Sequence, residues 1–413
     1  MFRVLEITPF RRLLIGQAVS QFGDMLYMLM FLYMVQRLTG NAMIVGWIGA
    51  VQALPPLLLS PYAGVLADRV DRRTVLLGTD LCSAALMLGL AAYLTFDATP
   101  PLWLIFASAT LLASVNTFFL PAKSAAIPRL VPADRLQEAN SLSATTQHFM
   151  PLLGLAISAA VLGQLELLAP NALFPVAAAC NGLTFLVSAR AIWLLPQLAP
   201  DTTDREEPHF GRDLREGWQA CLKDAVLWVS ALQALLVNLF IAPFMVVHLA
   251  VNKQWFDDRL RTVSIFESAF IGAAVIMALM MPRLRIVRPG MAFIGSMLAI
   301  GVLVACMAFA PWFYPYLVLN FLCGLALPIA QIPMQMYFQT AVPDALRGRV
   351  HSFMTMSAMV AIPLSNTFAG VGVARLGVST MFLIMGGGMI LSAAIGLAHP
   401  QYRRSRLPSS AVR

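Results

Sequence analysis

Long apolar runs separated by short polar connections dominate this 413-residue chain. Crossing the hydrocarbon core of a bilayer takes about 20 apolar residues in an α-helix, and windows of that kind recur along the whole sequence. They cover residues 12–36, 42–66, 74–96, 101–121, 138–163, 171–195, 222–250, 262–281, 290–310, 313–338, 350–374 and 378–398. The runs are continuous and lack the alternation over ~10-residue segments that barrel strands require, so all are predicted as helices. One long polar interruption breaks the series, at residues 197–217, rich in Pro, Asp, Glu and Arg. It reads as a cytoplasmic linker between an N-terminal bundle, 1–196, and a C-terminal bundle, 218–400, with 401–413 as a cytoplasmic tail.

The chain also repeats itself. Val131-Pro132-Ala133-Asp134-Arg135 precedes the fifth span, and Val342-Pro343-Asp344-Ala345-Leu346-Arg347 precedes the eleventh, with Ser141 and Ser352 in matching places. The offset of 211 residues is about half the length. A weak repeat of that period is expected of a transporter built from two related halves. The predicted fold is an all-α membrane protein, with twelve transmembrane helices in two pseudo-symmetric six-helix bundles.

Composition agrees. Charged residues make up 12% and hydrophobic residues 59%, with a mean hydropathy of +0.76, whereas soluble domains carry about 25% charge. Of the 28 basic residues, only Arg37, Lys253, Arg259, Arg261 and Arg375 fall in loops on one side, which the positive-inside rule makes the outer side. Both termini are then cytoplasmic, and the net charge of +8 is a topology device with no nucleic-acid partner implied. The basic N-terminal start has no small-residue cleavage site after it, so the first run is expected to stay as a helix.

Absences narrow the chemistry. No G-x-x-x-x-G-K-[ST] loop occurs, so transport draws on a gradient or is passive. No nucleophile–base or metal spacing suggests an enzyme, and no cofactor or metal is implied. Cys82, Cys180, Cys221, Cys306 and Cys323 are scattered, all but Cys221 inside predicted spans, and are expected as small packing residues. The 23 methionines and 25 phenylalanines suit an adaptable cavity or a lipid-facing surface equally.

Polar residues inside the spans are the functional candidates, because a charge at a helix centre costs roughly 2.5–3.5 kcal/mol on insertion scales. Asp24 lies roughly 18 Å beyond Arg12 at 1.5 Å per residue. Gln17, Ser20, Gln21 and Asp24 share one helical face. Asp24 is either a proton-titrating or cation-binding carboxylate, or a structural hydrogen-bonder fixing the first span against the fifth. His148, after Gln147, either shares a proton with Asp24 or packs. Glu267, roughly 8 Å below the surface, is an outer gate or release carboxylate, or is solvated at its helix start. Asp80 is expected to be structural, pairing with the cytoplasmic basic cluster. Asn116, Asn238 and Gln331, on the fourth, seventh and tenth spans, bond substrate or hold helices together.

Residues 64–73, GVLADRVDRR, lie between the second and third spans. Further motifs are Ser20-Gln21-Phe22-Gly23-Asp24, Phe119-Leu120-Pro121-Ala122, Ile127-Pro128-Arg129-Leu130-Val131-Pro132 and Leu346-Arg347-Gly348-Arg349-Val350. Together they resemble the major facilitator superfamily over nearly the whole chain, in the exporter branch of enterobactin exporters and macrolide efflux proteins; a lysophospholipid transporter group is similar too. The resemblance implies a central cavity formed by the first, fourth, seventh and tenth spans. It implies a latch in which Asp68 faces the start of the eleventh span, near Gly348-Arg349-Val350, where unpaired N–H groups favour an anion. Arg69 and Arg73 would complete that cluster, and Gly64 would allow two helices to approach closely. Arg69, Arg72 and Arg73 also serve as topology signals, an explanation that does not extend to Asp68. The chain departs from drug antiporters at Leu153-Gly154-Leu155-Ala156, which lacks their Gly-Pro pair.

The function implied is secondary export of a hydrophobic or amphipathic small molecule, of drug or siderophore type, by proton-coupled alternating access. The implied setting is the bacterial inner membrane, as a monomer. The alternatives are movement of lysophospholipid between leaflets, and a transporter-like signalling or assembly protein that moves no substrate.

Overall fold

A computed structural model describes residues 3–97, 99–169, 172–199, 218–219, 221–284, 286–342 and 344–407. The helices are α1 (Thr8–Thr39), α2 (Ala42–Arg69), α3 (Arg72–Phe96), α4 (Leu102–Asn116), α5 (Phe119–Leu130), α6 (Leu136–Leu168) and α7 (Leu173–Trp193). They continue with α8 (Ala225–Ile241), α9 (Phe244–Trp255), α10 (Leu260–Met280), α11 (Pro289–Met307), α12 (Phe313–Ala341), α13 (Asp344–Leu376), α14 (Val378–Ala398) and the short α15 (Pro400–Arg403). Ten segments among the described residues are long and apolar enough to cross a membrane. The remaining two expected spans are α6 and α13, each 33 residues long and each with an internal proline, Pro151 and Pro363. That matching pair is the structural counterpart of the half-length repeat.

Two spans are broken helices. The fourth runs as α4 and α5 with a step at residues 117–118, and Pro121 sits in the first turn of α5, where its missing N–H has no partner to lose. The seventh runs as α8 and α9, stepping at Ala242 and Pro243. The fourth therefore reaches Leu130, beyond the expected end at residue 121. Lys123, expected in a cytoplasmic connection, is instead buried inside α5.

Contacts divide the chain into two compact units, Met1–Gly40 with Val51–Glu207, and Asn41–Ala50 with Pro208–Arg413. In the first, α7 packs along both α1 and α3, and α1 also packs on α6. Phe10, Leu13, Leu76, Ile127, Ile192 and Leu195 join α1, α3, α5 and the end of α7 in one core. In the second, α11 packs on α12 and α14, α12 on α10, and α8 on α13 and α14. Small residues bring these backbones together, as membrane helices require: Gly301 and Gly386 sit against each other between α11 and α14. Large aromatic side chains at helix ends, among them Phe96, Trp103, Phe309, Trp312 and Tyr314, are strongly exposed, as interfacial belts are. Cys82 and Cys306 are exposed as well, which corrects the expectation that the cysteines in the spans are packing residues; Cys323 is buried as expected.

Candidate functional site

The polar stripe of α1 opens into a cavity of about 150 Å³ within the first unit. Gln17, Ser20, Gln21 and Asp24 form one wall, and Asp80 of α3, Asn116 of α4 and Gln147 of α6 face them. Phe119, Leu120 and Phe185 supply the apolar lining. Gly23 sets the position of Asp24: a Cβ there would run into Thr184 Oγ1 and lie 2.7 Å from Asn181 Oδ1 on α7. The glycine lets α1 lie directly on α7 and brings Asp24 beside Asn181.

Part of this polar surface is unsatisfied. Among the described residues, the side-chain oxygens of Gln17 and Gln21 are buried without a hydrogen-bond partner, whereas Asn181 hydrogen-bonds Asp24 and Ser188 hydrogen-bonds Asp80. Buried polar atoms in native structures are nearly always paired, so two unpaired amide oxygens beside two carboxylates mark a place able to receive a ligand or a proton. Two bonds order the walls: Ser83 Oγ donates to Asn116 Oδ1 at 2.9 Å, and Lys123 Nζ donates to Gln147 Oε1 at 3.4 Å.

Of the residues singled out in the sequence, Gln17, Gln21, Asp24 and Asn116 come together here. Asp80 joins them, hydrogen-bonded to Ser188, and among the described residues it shows no ion pair with the cytoplasmic basic cluster. Lys123 and Gln147 were not among the candidates. An intramembrane lysine is as costly as an aspartate, so Lys123 was detectable had the fourth span been drawn to Leu130. The His148 side chain lies outside the described residues.

Asn238, Gln331 and Glu267 belong to the other unit. Asn238 Nδ2 donates to Ala234 O of its own helix at 2.9 Å, and Gln331 is exposed. Glu267 has a specific partner that sequence reasoning missed: His248 Nδ1 lies 2.8 Å from Glu267 Oε1. The His248 ring is fully buried among Phe244, Phe266 and Tyr316, with ring centroids 4.3, 6.3 and 5.7 Å away. Its Nε2 and the Tyr316 hydroxyl have no hydrogen-bond partner among the described residues. Glu267 is therefore neither loosely solvated nor alone.

The 64–73 motif is tied down within its own unit. Asp71 caps α3, accepting from Arg73 N at 3.2 Å, and also accepts from Leu198 N at 2.8 Å. Arg72 is buried with Nη1 on Leu198 O, and Arg73 Nη2 donates to Trp193 O at 2.6 Å. Arg12 adds a bond to Leu194 O at 2.9 Å. Arg73 and Arg12 thus bind carbonyls at the end of α7, where the helix dipole favours positive charge, and Arg72 holds the segment that follows it. Arg69 is exposed. Among the described residues, a Cβ at Gly64 would meet nothing within 4 Å. The side chains of Asp68, Arg347 and Arg349 lie outside the described residues.

An all-helical bundle with ten or more membrane-spanning segments, carrying carboxylates in a cavity among its helices, is the architecture of a multi-pass solute transporter. The model of the Major Facilitator Superfamily matches residues 13–256, and the chain belongs to that superfamily. It is 24% identical over 378 residues to macrolide efflux protein A of Streptococcus pyogenes, covering 90% of this chain and 91% of that protein. An uncharacterized MFS-type transporter, YfiS of Bacillus subtilis, is 25% identical over 404 residues, covering 95% and 94%. Among solved structures, the nucleoside transporter NupG superposes with a TM-score of 0.72 at 15% identity, covering 94% of this chain and 98% of that one. A bacterial homolog of the human lysosomal transporter Spinster superposes with a TM-score of 0.69 at 10% identity, covering 96% and 98%. The protein is thus a transporter with efflux-protein relatives.

Proposed function

We propose that this chain exports a hydrophobic or amphipathic small molecule carrying a cationic group across the bacterial inner membrane, exchanging it for protons by alternating access. The observation that carries the reading is the cavity in which Asp24 and Asp80 lie beside the unpaired amide oxygens of Gln17 and Gln21, with Phe119, Leu120 and Phe185 next to them. A carboxylate in an apolar-walled cavity holds either a proton or an organic cation, and exchange between the two is the elementary step of such an antiporter. Phenyl and leucyl walls suit the apolar part of the cargo. The likeness to macrolide efflux proteins supports outward movement of a bulky, largely apolar compound. The positive-inside distribution supports cytoplasmic termini. Asp68 at the motif of residues 64–73 serves the conformational change and does not bind cargo.

Proteoliposomes given a cationic amphipathic dye, with and without an imposed pH gradient, test this. Gradient-driven dye movement is expected for the native protein and is lost in Asp24→Asn, which keeps the side-chain shape and inserts normally. Full gradient-driven activity in that variant overturns the assignment.

A further inference from the structure

We propose that an arginine-walled pocket at the ends of α11 and α14 holds the phosphate of an anionic phospholipid. Arg288, Arg403, Arg404 and Arg406 converge with Met291 and Leu397 on one cavity of about 640 Å³. Arg288 precedes α11, whereas the other three follow α14, so their meeting is made by the fold and not by proximity in sequence.

The segment after α14 is built to present them. Tyr402, Ser405 and Leu407 are buried, while Arg403, Arg404 and Arg406 between them point outward. Ser405 Oγ accepts from Gly290 N at 3.1 Å, and Leu407 N donates to Val287 O at 3.0 Å. The Tyr402 ring stands edge-on to Phe293, with centroids 6.4 Å apart. Gly290 is required for this seating, because a Cβ there would strike Tyr402 O.

Four guanidiniums are thereby gathered with no acidic side chain in the lining, and none of the four has an ion pair or side-chain hydrogen bond among the described residues. Like charges held together repel, and an anion offsets that repulsion. Guanidiniums bind phosphate oxygens through paired N–H groups. Topology alone accounts for the number of basic residues on one side of the membrane, but it does not account for their convergence in a single pocket on an anchored segment.

The position selects a lipid. Both α11 and α14 are membrane-spanning segments, so the pocket lies at the level where lipid phosphates sit. Met291 and Leu397, in the terminal turns of the two helices, are exposed and offer an apolar surface to the start of an acyl chain. Basic pockets at helix ends facing an anionic leaflet are suited to such headgroups.

The test uses the full chain in nanodiscs containing equal phosphatidylglycerol and phosphatidylcholine, with lipids retained after release counted by native mass spectrometry. Preferential retention of phosphatidylglycerol is expected, falling about tenfold, or ~1.4 kcal/mol, in Arg288→Gln/Arg403→Gln/Arg404→Gln/Arg406→Gln. The control Arg259→Gln/Arg261→Gln, which removes exposed arginines elsewhere, should retain lipid as the native protein does. Circular dichroism and a monodisperse elution profile verify that both variants are folded. Equal retention of the two lipids by the native protein, or undiminished phosphatidylglycerol retention in the quadruple variant, overturns the proposal. So does full displacement of the lipid by millimolar inorganic phosphate, which would assign the pocket to free anion.

Discussion

His248 Nδ1 and Glu267 Oε1 are 2.8 Å apart, and the histidine is sealed from solvent by aromatic rings. The bond joins α9 to α10 at a place where neither side chain has another described polar partner. Deleting one member leaves the other buried and unpaired, which costs about 1–3 kcal/mol. Glu267→Ala should therefore lower the melting temperature in detergent, and the double variant His248→Phe/Glu267→Leu should recover most of the loss. Additive losses in the two single variants and the double would show that the pair does not act as a unit.

Lys123 is buried in α5 with one long hydrogen bond, to Gln147. A buried charge so weakly compensated is destabilising. Lys123→Met should raise stability by about 1 kcal/mol, measured by thermal unfolding in detergent, and slow dye export in proteoliposomes, the exchange expected when a costly residue serves function. Unchanged export together with higher stability would place Lys123 outside the transport machinery.

The spans were legible because apolar runs of about 20 residues have no other stable fate in this composition. The wall of the cavity on α1 was legible too, since residues 17, 20, 21 and 24 share a face at any helix rotation. Of the opposite wall, Asn116 stands out in the sequence, but its grouping with Asp80 and Gln147 was not legible. Asp80 and Gln147 arrive on α3 and α6 through packing against α1 and α7, at small-residue contacts such as Gly182 on Leu88 and Gly154 on Phe22. Lys123 was missed because a step at residues 117–118 lets the fourth span continue past its apparent end. His248 was missed because its significance depends on Glu267, 19 residues away on another helix.

Two glycines should behave oppositely. Gly23→Ala forces a methyl group against Thr184 and Asn181, and should destabilise by about 1–3 kcal/mol while impairing export, because Asp24 moves with the helix. Gly64→Ala enters open space in α2 and should stabilise by about 0.5–1 kcal/mol through helix propensity, with export unaffected. Parallel thermal melts and dye assays separate the two. A loss of export in stable Gly64→Ala would restore a steric role for that glycine.

Asp71 and Asp68, three residues apart, are expected to fail in different ways. Asp71 caps α3 and holds Leu198 N; loss of a helix cap alone costs about 1 kcal/mol, so Asp71→Ala should lower the melting temperature clearly while leaving export per folded molecule near normal. Under the proposed latch role, Asp68→Asn should show the reverse: ordinary stability, but altered export and altered labelling of introduced cytoplasmic cysteines by thiol reagents. The two variants need only thermal unfolding, a labelling time course and the proteoliposome assay. Unchanged labelling and export in Asp68→Asn would leave the motif of residues 64–73 as an anchor for the end of α7 and nothing more.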